Sequence, residues 1–307
     1  MGFDLLPILL STLIAGTPLV YAGLGELITE RAGVLNMGVE GTMVTGAVVA
    51  FAVALTTGNL WLGVLAAMAA GALLSLLFAV LAISFRANQL AVGLAMTIFG
   101  TGLGSYLGRP YVGMALVQDA TQAGGGLAQL PVIGPLFSAV HPLIWLSWIL
   151  FAAVWYFLAR SRAGLALRAV GEAPTSAHAI GYPVVRIRYW ATLFGGAMSG
   201  IAGAYMSTVY ASLWTEGLIA GRGWIAVALV VFATWRPERC IAGAYLFGGA
   251  TMAQLFAQSA GIGLPSELMS ALPYLATIVV LVLISRDASL MRLSVPASLG
   301  KPFNPQG

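Results

Sequence analysis

Apolar blocks of about twenty residues, separated by short polar breaks, run along nearly the whole chain. They fall at Leu5–Gly25, Met37–Thr57, Leu60–Phe85, Gln89–Gly108, Pro142–Ala159, Tyr189–Tyr210, Trp224–Trp235, Cys240–Ala260 and Leu268–Ser285. A helix rises about 1.5 Å per residue, so about twenty residues cross a hydrocarbon core of about 30 Å. The pattern predicts an all-α polytopic membrane protein with about nine transmembrane helices. Unbroken apolar runs of this length exclude an outer-membrane barrel, whose strands would alternate apolar and polar positions. The seventh block is short, and the glycines at Gly221 and Gly223 predict a helix that starts near Glu216 and is broken there. The ELITERAGVLN stretch after Gly25 reads as a charged break between the first two spans.

Composition agrees. Hydrophobic residues make up 60% of the 307 and charged residues 8%, too few to cover a soluble domain. The net charge of +4 does not point to nucleic acid, because the basic residues cluster at span ends. Five of the fourteen lie between Arg160 and Arg188. With nine spans, Arg31, Arg86, that segment, Arg236, Arg239, Arg286, Arg292 and Lys301 share one side, and only Arg109 and Arg222 fall on the other. The positive-inside rule then places the N-terminus outside and the C-terminus inside. Residues 1–290 form one membrane domain, with an extracytoplasmic loop at 109–141, a cytoplasmic loop at 160–188 and a cytoplasmic tail at 291–307. The segment MGFDLLPILL lacks the basic start of a cleaved signal, so the first block is expected to be a permanent span.

Small residues recur every four positions in three stripes: Gly63, Ala67, Gly71; Gly100, Gly104, Gly108; and Gly196, Gly200, Ala204. Such stripes predict close helix packing and carry no chemistry of their own. A faint likeness between Gly25–Ala47 and Val231–Gly249 hints at duplicated halves.

Several chemistries are missing. His141 and His178 lie far apart in loops, so no metal site or catalytic triad is expected. There is no phosphate-binding loop G-x-x-x-x-G-K-[ST], no G-x-S-x-G and no H-E-x-x-H. No span centre carries an acid or base, and Glu40, a few residues into the second span, comes nearest. A many-span protein without an ion relay or ATPase motif draws its energy from a partner. An ion-coupled carrier and a lipid-modifying membrane enzyme are the alternatives. The first would need charged span centres and the second a catalytic cluster.

Two constellations stand out. TERAGVLNMGVEGTMVTG (Thr29–Gly46) sets Asn36 and Glu40 among four glycines, a composition for broken backbone lining a cavity or buried in protein. Asn88, Gln89 and Thr97 add hydrogen-bonding groups at and within the fourth span. These five are the candidate solute-path residues. The other reading makes Asn88 and Gln89 helix caps and pairs Glu40 with Arg31. In the cytoplasmic loop, Thr175 is expected to cap a short helix running to Gly181, with Pro174 before it and Pro183 after it. Such a helix suits either a docking peg for a motor subunit or a surface helix resting on lipid headgroups.

ERAGVLNMGVEG followed by an apolar span resembles the permease subunits of bacterial ABC importers for nucleosides and simple sugars, in the wider group that includes ribose and branched-chain amino-acid permeases. LRAVGEAPTSAHAIGYPVVRIR resembles that group's cytoplasmic loop, where alanines followed by glycine form the coupling helix. The resemblance implies a non-enzymatic transport subunit of the bacterial inner membrane. It carries no cofactor of its own, because ATP and magnesium bind the partner ATPase. Implied partners are an ATPase dimer, a second permease subunit (identical or different) and an extracytoplasmic binding protein or lipoprotein meeting the 109–141 loop and Arg222. Coupling would fall to Glu172, Thr175, Ala177, His178, Ala179 and Gly181, with Ala177 and Ala179 small so that the helix seats closely on the ATPase. The implied cargo is a nucleoside or simple sugar, or alternatively a branched-chain amino acid or other small solute.

Overall fold

The computed structural model describes residues 5–116, 140–259 and 295–304, with a few helical positions between 271 and 279. The described residues are helical apart from turns and two isolated bridges. The helices are α1 (Leu5–Arg31), α2 (Val39–Thr57), α3 (Leu60–Ala79), α4 (Gln89–Gly108), α5 (Pro142–Arg160), α6 (Arg162–Glu172), α7 (Pro174–Ala179), α8 (Val184–Tyr205), α9 (Arg222–Phe232) and α10 (Pro237–Ser259). One wider π-turn each prolongs α3 over Val80–Ser84 and α8 over Met206–Tyr210.

Local chemistry sets many of these ends. Gly58, left-handed at φ +66°, stops α2, and the Asn59 side chain then accepts from the Trp61 and Leu62 amides to start α3. Asn88 accepts from Ala91 N at the start of α4. His141 Nδ1 accepts from Leu143 N ahead of Pro142 in α5, and Ser161 accepts from Gly164 N in α6. Each oxygen or nitrogen satisfies an amide that the first helical turn leaves without a carbonyl.

The first break is not where the charges imply. The helix α1 runs on through Glu26, Thr29 and Glu30 and ends at Arg31. Glu26 and Glu30 are four residues apart, on one face, and both are buried against the bundle. The last two turns of this spanning helix therefore carry two buried acids, where a charged break outside the span was expected. The first residue to leave the helix for steric reasons is Gly33, at φ +83°.

The core is built by α1, α2, α3 and α8, with α10 along α1 and α4 along α2. Two small-residue stripes meet each other: a Cβ on Gly200 of α8 would lie 2.2 Å from the Ala67 carbonyl oxygen of α3. The third stripe faces α2 through Gly100 and Gly104, while Gly108 leaves room for the Trp214 indole. With little apolar contrast between lipid and protein, this closeness is what lets the helices gain contact energy.

Among the described residues, six helices are long and apolar enough to cross a membrane: Pro7–Arg31, Val39–Thr57, Leu60–Ser84, Gln89–Tyr111, Pro142–Arg160 and Pro237–Ser259. At 22 residues, α8 has spanning length, but its inner face is glycine and serine buried by other helices, which lowers its hydropathy. The helix α9 has only 11 residues. The ninth expected span, Leu268–Ser285, falls mostly outside the described residues, as does most of the 109–141 loop.

Candidate functional site

At about 1.5 Å per residue, α9 is about 16 Å long, half of a bilayer core. Its C-terminal end leads to Trp235, whose carbonyl accepts from Arg31 at the end of α1, at 3.1 Å from Nε and 2.8 Å from Nη2. That end lies with the bundle's arginine-rich face, so the other end stops inside the bundle. The backbone before it is unwound, with left-handed residues at Ser212, Gly217, Ala220 and Gly221. At the start of α9, where Gly221 and Arg222 are half-buried and Gly223 is buried, stands Glu40. Its Oε1 accepts from Gly221 N at 2.7 Å and its Oε2 from Gly223 N at 2.6 Å. A carboxylate there satisfies two unpaired amides and meets the positive end of the helix dipole. Glu40 is not paired with Arg31. A Cβ on Gly223 would lie 2.5 Å from Glu40 Cα, so only glycine allows the carboxylate to reach both amides.

Three of the other candidates gather around the turn at 32–38 that precedes α2. Gln89 Oε1 accepts from Leu35 N at 2.8 Å, and Thr97 Oγ1 donates to the Met37 carbonyl at 2.8 Å. Asn36 Oδ1 accepts from Gly38 N at 2.9 Å, while its own amide donates to Glu26 Oε1 at 3.1 Å. This turn thus hangs on side chains from α1 and α4. Asn88 is apart from them, exposed, and caps α4. Gln89 is buried but is not a cap, and its Nε2 has no hydrogen-bond partner among the described residues.

The second region is the α6–α7 corner. Gly171 at the end of α6 sits so close to the end of α1 that a Cβ there would lie 2.1 Å from the Arg31 carbonyl. The helix α7 starts two residues earlier than a Thr175 cap would give, with Pro174 in its first turn and Ala173 as its cap, which has no side-chain acceptor. Proline's fixed φ and missing N–H suit that first turn, so Thr175 is left without a capping role. Gly181, at φ +95°, closes α7, with its amide donating to the His178 carbonyl at 2.9 Å. Glu172, Thr175, Ser176, His178, Ala179 and Ile180 are exposed, Ile180 to 75%. Ala177 is not among them. It is buried with Val170, Val184 and Phe303 of the tail, so its small size serves an internal contact, contrary to the docking role expected of it.

The tail, expected to be a plain extension, folds back here. Ser298 donates to the Gly171 carbonyl from N at 3.0 Å and from Oγ at 2.6 Å. Buried Arg188 donates to Ser298 Oγ and to the Lys301 carbonyl, each at 3.1 Å. The rings of Phe303 and His178 meet edge to face, 5.6 Å between centroids.

Residues 8–283 match the family described as the branched-chain amino acid transport system permease component. The chain belongs to this family. The permease is 41% identical to the putative glucose ABC transporter permease protein TsgC13 of Haloferax volcanii, over 96% of both chains. It is 33% identical to the guanosine ABC transporter permease protein NupQ of Bacillus subtilis, over 95% of both. With the nucleoside ABC transporter permease protein NupC of Lactococcus lactis it shares 32% identity over 90% of this chain and 91% of that one. It is therefore a multi-pass transport permease and not an enzyme. Among the described residues no group of three or more histidine, cysteine, aspartate or glutamate side chains could hold a metal.

Sequence reasoning passed over Glu26, Trp235 and Arg188, and placed Glu30 between the first two spans. Glu30 accepts a hydrogen bond from the Trp235 indole, tying α1 to the end of α9. The signal was present in the four-residue spacing of the two glutamates and the absence of glycine or proline from Glu26 to Ala32.

Proposed function

We propose that the permease moves a nucleoside or a simple sugar inward across the cytoplasmic membrane of a prokaryote, driven by a separate ATPase dimer. The observation that carries this reading is the half-length helix α9, whose start lies within the bundle and is held by Glu40. Broken helices of this kind form solute sites in membrane carriers, because unwound backbone is tolerated at membrane depth only where it is buried or lines a path. The substrate class follows that of the relatives, which carry glucose, guanosine and nucleosides by name.

In this reading the chain has nine spans with the N-terminus outside. Arg31, Arg168, Arg236 and Arg239 then share the cytoplasmic end, and residues 109–116 and 210–216 the opposite one, where the binding protein or lipoprotein docks. A second permease subunit completes the path. Asn36, Glu40 and Thr97 shape its wall by fixing backbone, Asn88 serves α4 alone, and Gln89 keeps a buried amide donor for a solute hydroxyl or ring nitrogen. The ATPase seats on the exposed face of α7, through Thr175, Ser176, His178, Ala179 and above all Ile180, with Glu172 and Gly181 at its edges.

The test is transport in proteoliposomes that hold the permease with its second subunit, the ATPase and the binding protein. Labelled guanosine and glucose are supplied with and without ATP. ATP-dependent uptake of either supports the reading. Uptake without the ATPase, or of a branched-chain amino acid alone, overturns it.

A further inference from the structure

Next to the junction of α1, α5, α6 and α10 lies a pocket of about 490 Å³ that the transport reading does not use. Arg31, Arg168, Arg236 and Arg239 line it, with Trp155, Leu158, Ala159, Trp235, Pro237 and Glu238. Its charge is unbalanced by three, because Glu238 is the one acid among those lining residues. That acid is engaged by the Trp155 indole N–H, and Trp235 gives its own to Glu30 behind the pocket. Arg31 is anchored to the Trp235 carbonyl, and Arg239 donates to Thr234 Oγ1 at 2.8 Å. Arg168 and Arg236 have no side-chain acceptor among the described residues, and Arg168 Nε is buried without one. Arg31 has Arg168 and Arg236 as like-charged neighbours, with Glu172 acting against them. Guanidinium groups so arranged repel one another and offer more donors than the protein can satisfy, a demand that a tetrahedral oxyanion meets.

The position of the pocket indicates where the oxyanion comes from. Its apolar wall is the end of α5, where Trp155 and Tyr156 are 39% and 62% exposed. Its basic wall is the end of α1 and the start of α10, two helices of spanning length. Aromatic residues beside basic ones at helix ends mark headgroup depth, and basic pockets between spans accept anionic headgroups. We propose that this pocket binds the phosphate of an anionic phospholipid, with Arg168 and Arg236 as its principal donors and Leu158 and Ala159 meeting the start of an acyl chain. The lipid belongs to the cytoplasmic leaflet only on the orientation proposed above. The rest of the assignment stands without that orientation, and lipid affinity of the detergent-purified chain does not depend on how it inserts.

The test is native mass spectrometry of the purified permease titrated with phosphatidylglycerol or phosphatidylcholine, and separately with inorganic phosphate. The expected result is selective retention of phosphatidylglycerol. Loss of affinity should be about fivefold for Arg168→Gln or Arg236→Gln and roughly 25-fold for the pair. Arg162→Gln, which removes an equal charge from α6 outside the pocket, should leave affinity unchanged. Glu238→Gln keeps an oxygen for Trp155 and raises the positive excess, so it should tighten binding about fivefold, a gain that a misfolded variant could not show. Equal retention of the two lipids, equal loss in Arg162→Gln, no tightening in Glu238→Gln, or occupation by inorganic phosphate with no lipid preference would each overturn the assignment.

Discussion

Replacing Glu40 by glutamine is the sharpest perturbation of the α9 start. The carboxylate accepts from Gly221 N at 2.7 Å and from Gly223 N at 2.6 Å, and Glu40 is only 8% exposed. An amide of the same shape keeps one acceptor and turns an NH2 group toward the other N–H. One charge-assisted bond, worth about 1.5–3 kcal/mol, is therefore lost and a buried amide is left unsatisfied. The remaining bond weakens to a neutral one, and the favourable charge at the helix dipole, about 0.3–2 kcal/mol, also disappears. Together these predict a cost of about 2–4 kcal/mol, concentrated at the unwound segment and the first turn of α9. The assay is amide hydrogen exchange of the purified permease, followed on a peptide spanning 215–227, beside its melting temperature. At about 1.4 kcal/mol per tenfold, local exchange should rise by roughly 30-fold to several hundredfold, while peptides from the α3–α8 contact keep their protection. Unchanged exchange at 215–227 with an unchanged melting temperature would refute the claim that Glu40 holds the half-helix in place.

Gly200→Val should separate α3 from α8, since its first side-chain carbon would lie 2.2 Å from the Ala67 carbonyl; a loss of at least about 1–3 kcal/mol is expected, read as a lower melting temperature or failed expression. Ile180→Asp, at a side chain 75% exposed, should leave melting unchanged but weaken ATPase docking by about 2 kcal/mol, roughly thirtyfold, in a pull-down titration. Ala177→Glu should instead lower the melting temperature and free the tail, because it forces a charge under Phe303; a cysteine at Ser298 would then label rapidly. His141 is held down to about 4 by burial, below its unfolded value near 6.5. Its neutral form also accepts from Leu143 N at 3.2 Å. Stability is thus complete above about pH 6.5 and falls as pH drops toward 4. His141→Asn, which keeps an acceptor without titrating, should flatten that melting curve.

What could be read in the sequence was set by periodicity and by glycine. The fourth apolar block matches α4, whose start is set by the Asn88 cap without tertiary help, while past Gly108 the helix only tightens into a 3-10 turn at Arg109–Tyr111. The two stripes on α3 and α8 were legible as packing surfaces, although only the structure shows that they face one another. Reading failed wherever a charge was taken to mean water. Glu26 and Glu30 looked like a loop because an isolated helix would present them to lipid. In the bundle one accepts from the Asn36 amide and the other from the Trp235 indole, which lets the helix continue even though Glu30 Oε1 is left without a donor among the described residues. Glu40 reads in the sequence as a solute-path candidate, with pairing to Arg31 as the other reading, and that pairing is not what the structure has. Its real partners are main-chain amides 181 and 183 residues away, and backbone donors leave no trace in side-chain chemistry.

The tail shows the same limit from the other direction. Nothing in ASLGKPF announces a docking segment, yet Ser298 and Phe303 cover the inner face of α7 and occupy Arg188. That contact changes the meaning of α7 itself. A six-residue helix is too short to hold its shape alone, and a peg that transmits force must be stiff. Here the stiffness comes from below: Ala177 is pinned between Val170, Val184 and Phe303, and Gly171 presses the α6 end onto α1. A push on the exposed side of α7 therefore passes directly to α1, whose last turn holds Arg31 on the Trp235 carbonyl and Glu30 on the Trp235 indole. Trp235 follows α9 by three residues, and α9 begins at Glu40. A continuous set of short contacts thus joins the proposed ATPase seat to the broken helix. Trp235→Phe, which removes the indole N–H and keeps the ring, cuts the Glu30 contact without emptying the site. If the chain of contacts carries coupling, ATP hydrolysis in the assembled transporter should persist while uptake per ATP falls severalfold. Uptake and hydrolysis falling in equal proportion would place the coupling route elsewhere.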